Sequence, residues 1–398
     1  MNTSSKHKKK LVIIVSRFPF PLEKGDKLRA YYQLKELSET FTISLITISD
    51  QRVKKTDLEE VRKYCSTIYF IKLNKLSILF NLIFHVFTKK PLQIGYFYSS
   101  KNKMRIKQIL KEVKPDTIYC QLIRVAEYVK NYHDCPKTID FMDALSKGME
   151  RRAAKAPFYS KWLFTLEANR LSQYERKIFD YFEHHIMISE QDKKYILHPD
   201  QKKIVCIPNG VDNRFFETAP SEKDMDIVFV GNLSYAPNVE AAIYITQKLI
   251  PKLLKVNPSI KTLISGATPH PSLCKAINKI PSIELTGWVD DITSSYRRGK
   301  IFVAPLFIGT GMQNKLIEAM ALGLPCITTT LANNAIGGKH LESIYVADSL
   351  ESYIEGINKL LSDQQLYSTI QQNAKNLVKD KYNWKETSHQ LAQILSQE

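Results

Sequence analysis

The sequence lacks the groupings that would point to a metal site, a disulfide framework or a membrane span. Its six cysteines (Cys65, Cys120, Cys135, Cys206, Cys274, Cys326) are scattered, with no CxxC. Most lie in or beside apolar runs and read as buried free thiols, which fits a reducing compartment. The nine histidines show no metal-ligand spacing. The longest apolar stretch, LSILFNLIFHVF (76–87), has twelve residues and is interrupted by Asn81 and His85. A bilayer crossing needs about 20 apolar residues, so this run is too short. The start, MNTSSKHKKKLVIIVSRFPFP, has five apolar residues before Ser16 and Arg17. That is too few for the core of a signal peptide, and a buried first strand behind a solvated basic tail is expected instead. There is no repeat, low-complexity tract or long Gly/Ser linker. Acidic charge is also scarce in the first half. Residues 1–205 hold 39 Lys and Arg against 22 Asp and Glu, an excess that equals the net charge of +17 of the whole chain. Such asymmetry suits contact with something anionic: phospholipid, a lipid phosphate or nucleic acid.

What is present is a regular alternation of strands and helices. At 398 residues the chain exceeds what one core commonly serves, so two domains are expected. In the first half the strand candidates are 11–16, 42–48, 67–73, 116–121, 137–143, 184–189 and 203–208. Helices are expected over 26–39, 103–113 and roughly 144–182. The turn NGVD at Asn209-Gly210 and the polar segment after it mark a boundary. Strands at 226–231, 260–266, 282–289, 301–306, 325–330 and 343–348 then restart the pattern. The expected class is α/β, two consecutive doubly wound Rossmann-like domains with a cleft between them as the site. The expected divisions are 1–208, 209–380 and a closing helix, 381–398, packing back toward the first domain.

The stretch IGTGMQNKLIEAMALGLP (308–325) carries the chemistry. Glycines at Gly309 and Gly311, around Thr310, let the backbone approach a ligand closely. A helix starting near Met312 offers unpaired N–H groups and a positive dipole end, suited to phosphate. Lys315 lies in the first turn, where a cation opposes the macrodipole and makes more sense beside an anion. Glu318, three residues on, lies on the same face and suits a ribose diol. The alternative is a glycine-capped helix with a surface Lys–Glu pair.

Several motifs in order, IPNGVDNRFF, GNLSYAPNVEA, LTGWVDD and GTGMQNKLIEAMALGLPCITT, resemble glycosyltransferase family 4, the retaining GT-B transferases. SRFPFPLEKGDKLRAYYQLKELS and DFMDALSKGMERRA resemble a bacterial subgroup that transfers sugars in cell-surface polysaccharide assembly, some members being linked to exosortase systems. The resemblance implies two Rossmann-like domains facing a central cleft, a UDP- or GDP-linked sugar donor, a glycan or lipid-linked acceptor, retention of configuration, and no metal or other cofactor. It places Glu318 at the second glutamate of the family's paired-glutamate motif, on the nucleotide ribose. The first glutamate's position is Thr310 here, which leaves the donor sugar open. Asn232 stands where many members carry an arginine on the diphosphate, so Lys315 is expected to supply that charge. Gly231 and Asn232 let the strand-end loop approach the phosphates. Trp288 and Val289 fall where the family holds the base, and Met312 and Asn314 join the donor set. In the first domain, Gly25 and Asp26 match the glycine-rich loop facing the donor diphosphate and acceptor, with Arg29 one turn in; a plain turn with an N-cap explains Gly25-Asp26 as well. Asp143, expected at a strand's C-terminal end, is the candidate for positioning the acceptor hydroxyl or stabilising positive charge on the sugar. Asp140 is the second choice, and an N-cap carboxylate is the alternative.

His184 and His185 begin a strand and point to opposite faces, so strand packing accounts for them. The segment 72–103 mixes apolar residues, lysines and the aromatics Phe84, Phe87, Tyr96, Phe97 and Tyr98. It suits either a membrane interface or a core helix with a basic surface. The expected location is cytoplasmic, or peripheral on the inner face of the plasma membrane, with no nucleic-acid partner. Two other classes stay open: a GT-B sugar-nucleotide epimerase, and a basic binding protein for nucleic acid or membrane with no need of Glu318 or the glycine loops.

Overall fold

The computed structural model describes residues 8–217, 222–278, 280–308 and 312–397. The chain divides into two compact units: one runs to Pro208 and resumes at Trp384, and the other is Asn209–Asn383. The strands of the first unit are β1 Lys10–Val15, β2 Thr42–Ser49, β3 Thr67–Lys72, β4 Thr117–Gln121, β5 Lys137–Asp140, β6 His184–Met187 and β7 Val205–Cys206. They form one sheet, ordered β3-β2-β1-β4-β5-β6-β7, with every pair parallel. Its helices are α1 Gly25–Leu37, α2 Lys55–Arg62, α3 Lys75–Val86, α4 Leu92–Phe97, α5 Ser100–Val113, α6 Leu145–Lys155, α7 Phe158–Phe179 and α8 Glu190–Lys193. In KLVIIV every residue after Lys10 is buried. A strand with helices over both faces needs such an unbroken apolar run.

The second unit repeats the plan with β8 Met225–Val230, β9 Thr262–Ser265, β10 Ile283–Leu285, β11 Gly299–Ala304, β12 Cys326–Thr328 and β13 Tyr345–Val346. The order is β10-β9-β8-β11-β12-β13, again all parallel. Around it lie α9 Ala236–Tyr244, α10 Ile250–Val256, α11 Pro271–Ile277, α12 Ile292–Arg297, α13 Asn314–Ala321, α14 Thr330–Asn333, α15 Leu350–Ser362 and α16 Gln364–Lys381. A last helix, α17 Trp384–Leu395, belongs to the first unit. There Trp384 stacks on Tyr32 of α1, ring centroids 5.0 Å apart, and Leu391 and Leu395 join the core beside Leu34 and Leu37.

Both sheets are α/β and doubly wound, as the alternation implied. Strand order reverses between β1 and β4 in one unit and between β8 and β11 in the other. Ligands of open parallel sheets collect outside the strand C-termini at such points. Three expectations change in detail. The long helix over 144–182 is two helices, broken at Ala156-Pro157, because a proline disfavours helical geometry in the residue before it. The strand expected over 282–289 stops at Leu285, so Trp288 lies in the loop beyond it. Strand β5 stops at Asp140, which leaves Asp143 in the following loop rather than at the strand end. Among the described residues no helix is long and apolar enough to cross a membrane.

Candidate active site

In the second unit the donor candidates fall in a row set by strand order. The loop after β10 carries Gly287, Trp288 and Val289. Beside it β9 ends at Ser265, and the N–H of the next residue, Gly266, donates to the Gly287 carbonyl at 3.0 Å. Next comes the end of β8, where the Gly231 N–H donates to the Ser265 carbonyl at 3.0 Å and Leu233 N–H to Ala267 at 2.9 Å. Gly266 sits at φ +151°, and a Cβ there would lie 1.7 Å from the Gly231 carbonyl oxygen. Only glycine allows these two strand ends to approach so closely. Asn232 is half-buried and shapes its own turn: its Oδ1 accepts from the Ser234 N–H and hydroxyl, and its carbonyl accepts from Asn238 Nδ2 at 2.9 Å. Trp288 leaves its ring 65% exposed, with Val289 half-buried next to it. Strands lie about 4.8 Å apart, so from the end of β10 to that of β11 the row spans about 14 Å.

At the β11 end stands α13. Gly309, Thr310 and Gly311 lie outside the described residues. Met312 packs against the core, and the helix opens at Asn314 with Gln313 at the cap position, making no capping bond through its side chain. Asn314 Oδ1 accepts from the buried Asn209 at 3.2 Å, which fastens the 209–216 turn to the helix start. Lys315 donates to Gln313 Oε1 at 2.7 Å, and burial pulls its ammonium down to about 8 although Glu318 works the other way. Glu318 is pushed up by burial, against the hydrogen bond it accepts from Tyr296 at 2.9 Å and the cations Lys315 and Arg214. Tyr296, on α12, is wholly buried. It holds Oε2 of Glu318, while Oε1 has no hydrogen-bond partner among the described residues. Reading the sequence missed Tyr296, because it lies 22 residues from Glu318 and carries no motif. It also missed Arg214, whose exposed guanidinium lies over the Phe215 ring.

Charge at Lys315 has a measurable consequence. An anion favours the ammonium form, so affinity for a nucleoside diphosphate is expected to hold to about pH 7 and to fall as pH rises through 8. Calorimetric titration of UDP from pH 6.5 to 9.5 checks this; Lys315→Met should bind more weakly throughout and show no slope above pH 8.

In the first unit the candidates separate into two groups. Arg29 and Asp140, expected to face the acceptor, are both fully buried, and Arg29 Nε donates to Asp140 Oδ2 at 2.6 Å. Tyr119 donates its hydroxyl to the same carboxylate, and the Met142 N–H donates to Oδ1 at 2.9 Å. This corrects the expectation: with no exposed atom, the pair ties α1 to β5 and meets no acceptor. Gly25 opens α1, and a Cβ built on it meets no protein atom within 4 Å. Asp26 is not a cap; it pairs with Arg17, and its carbonyl accepts from Gln121 at the end of β4 at 3.1 Å.

Asp143 is half-buried in the loop between β5 and α6. It does not cap α6 either, since Glu175 accepts from the Ser146 N–H at 3.1 Å. Burial first, then the Asp192 and Asp140 carboxylates, push Asp143 up to about 8. Arg124, another group the sequence reading passed over, lies within electrostatic reach of Asp143 and Asp26 and donates to Gln93. The folded state therefore binds a proton at Asp143 that the unfolded chain releases near pH 4. Its contribution to stability is full below pH 4 and is lost as pH rises through 8. Melting temperatures from pH 5 to 8.5 should fall in the wild type and fall less in Asp143→Asn. His185 is buried and stacked on Phe179, centroids 3.6 Å apart, with its Nε2 2.9 Å from the Phe179 carbonyl, which is packing. Among the described residues no three His, Cys, Asp or Glu side chains gather as a metal ion would need.

Residues 224–363 match the family described as glycosyl transferases group 1. An uncharacterized 44.6 kDa protein of the cps region of Klebsiella pneumoniae is 22% identical over 395 residues, covering 94% of this chain and 97% of its own. A UDP-Gal:alpha-D-GlcNAc-diphosphoundecaprenol alpha-1,3-galactosyltransferase of Escherichia coli is 27% identical over 220 residues, 50% of this chain and 56% of its own. Among solved structures, Anabaena HepE in complex with UDP and glucose superposes with a TM-score of 0.69 at 13% identity, over 98% of this chain and 99% of that one. Residues 224–363 thus resemble a glycosyl transferases group 1 domain, and the chain is a glycosyltransferase enzyme with the GT-B fold.

Proposed function

We propose that the protein moves a sugar from a nucleoside-diphosphate sugar to a glycan or lipid-linked acceptor in bacterial envelope glycan synthesis, with retention at the anomeric carbon, as in glycosyltransferase family 4. The observation that carries this reading is the pairing at α13: Lys315 in the first turn, and Glu318 one turn deeper with one oxygen held by Tyr296 and the other without a partner among the described residues. The diphosphate meets Lys315 and the N-terminal N–H groups of α13, and Glu318 accepts from the ribose hydroxyls. The base lies toward Trp288 and Val289, with the Gly231-Asn232 turn under the phosphates. The E. coli relative is named for a UDP-linked galactose and an acceptor on diphosphoundecaprenol, and HepE holds UDP, so UDP is the first donor base to test.

As the bond from the anomeric carbon to the diphosphate oxygen breaks, negative charge grows on the diphosphate. Fixed positive charge and oriented dipoles act most strongly there, because they need no rearrangement as the charge appears. Lys315 supplies that charge in place of the arginine that Asn232 replaces, and no protein-bound metal takes part in this scheme. The acceptor oxygen attacks from the face the diphosphate leaves, and its proton passes to a diphosphate oxygen. In the first unit Asp143, whose proton burial holds to about pH 8, is the candidate for positioning the acceptor hydroxyl. Gly25 leaves room for ligand against the start of α1.

The test is calorimetric titration with UDP and GDP, followed by release of nucleoside diphosphate from radiolabelled donors in the presence of a lipid-linked acceptor. Tight binding of one nucleotide and acceptor-dependent release support the proposal. Binding of neither would overturn it and leave the basic binding protein as the reading.

A further inference from the structure

The orientation of α3 is the reverse of that of an ordinary surface helix. Its inward side is Ile78, Asn81, Leu82 and His85. Asn81 donates to the Tyr98 carbonyl, and His85 Nδ1 lies 2.9 Å from the Thr88 hydroxyl. These two polar side chains therefore face the protein. The outward side is Leu76, Leu79, Phe80, Ile83 and Phe84, followed by Phe87, with exposures from 53% to 86%. Soluble helices turn their apolar stripe to the core, and a contiguous exposed apolar face marks a surface that something covers.

A second apolar patch stands on the same support. Phe158, Tyr159 and Trp162, at the start of α7, are 87%, 68% and 61% exposed. Arg170 of α7 donates to the His85 and Val86 carbonyls at 2.9 and 2.8 Å, fixing the C-terminal end of α3 to α7. Trp162 lies eight residues before Arg170, about 12 Å along the helix. Charge identifies the occupant. From Val61 to Lys111 the sequence has eleven Lys and Arg and no Asp or Glu; from Arg151 to Leu166 it has four and none.

We propose that the outward face of α3 and the start of α7 lay the first unit on an anionic lipid bilayer, rings and aliphatic chains at headgroup depth and lysines toward the phosphates. An isologous contact between two copies would set these basic segments against each other. Leucine and isoleucine give nucleic acid neither stacking nor charge. At twelve residues α3 lies in the interface and does not cross it. The sequence pointed to α3 but also to Tyr96, Phe97 and Tyr98; Phe97 is core and the two tyrosines are half-buried, so they take no part.

Flotation of the full-length protein with phosphatidylcholine vesicles, with and without phosphatidylglycerol, tests this without any sugar donor. It therefore stands apart from the glycosyl-transfer test. The protein should float with phosphatidylglycerol vesicles, less at high salt. Phe80→Ser/Phe84→Ser/Phe87→Ser should lower partitioning by at least about tenfold. Lys75→Ser and Lys89→Ser should each lower it about fivefold at low salt. Trp162 emission should shift to the blue on binding, a change lost in Trp162→Phe. These side chains are exposed, so melting curves should match the wild type. No flotation, or flotation unchanged in the triple variant, overturns the proposal. So does a dimer in sedimentation that the triple variant dissolves without any vesicle binding, or duplex DNA binding that the triple variant weakens in place of vesicle binding.

Discussion

Glu318→Ala is expected to weaken nucleoside-diphosphate binding by about 100-fold, the range set by losing a charged acceptor shared by two ribose hydroxyls. Glu318→Gln should cost about tenfold, since the charge is gone and the oxygen kept for Tyr296 leaves an amide NH2 toward the ribose. The structure adds a control. Tyr296 donates to Glu318 from a fully buried position, so Ala leaves that hydroxyl short of its acceptor and costs about 1–3 kcal/mol of stability. Gln keeps an oxygen for it. A loss of affinity in both variants, with a drop in melting temperature only in Ala, assigns the carboxylate to the ligand. Unchanged affinity in Gln, with a destabilised Ala, would make Glu318 a partner of Tyr296 alone and sink the donor assignment.

The second large effect is on folding. Arg29→Ala or Asp140→Ala should destabilise the first unit by about 3–5 kcal/mol, because each leaves a charge buried without its counterpart. Thermal unfolding should move down by roughly 10 °C or more. Arg29→Met/Asp140→Leu should recover much of the loss, since an apolar pair needs no desolvation of charge. Tyr119 and Met142 also serve Asp140, so Asp140→Ala should be the worse of the two single variants. A variant of either residue that is stable yet loses acceptor-dependent turnover would return the pair to the site.

Periodicity made the sheets legible. LVIIV, VFV and IFVA are continuous apolar runs that only a strand covered on both faces can bury, and the helices between them fix parallel pairing. Boundaries were less legible where local geometry decided them. Pro157 splits one long helical pattern in two, and the strand beginning at Ile283 ends three residues before Trp288. The candidate site was readable where spacing along one element carries it: Lys315 and Glu318 share a helix face whatever surrounds them. Arg29 and Asp140 looked like ligand groups because the resemblance set them beside the first domain's glycine-rich loop and at a strand's C-terminal end. They lie 111 residues apart, and nothing local says that each neutralises the other.

By itself, then, the sequence determined the two doubly wound sheets, the apolar strands that build them, and the order of Lys315 and Glu318 on one helix. Those features depend on neighbours within a few residues, where backbone geometry sets the periods 2 and 3.6. Tertiary structure alone decided that Tyr296 grips Glu318, that Asp140 is spent on Arg29, that burial and then the nearby carboxylates hold a proton on Asp143, and that α3 turns its phenylalanines outward. Each of these depends on which distant segments pack together, because burial and pairing fix a side chain's charge and exposure only once the partner is in place.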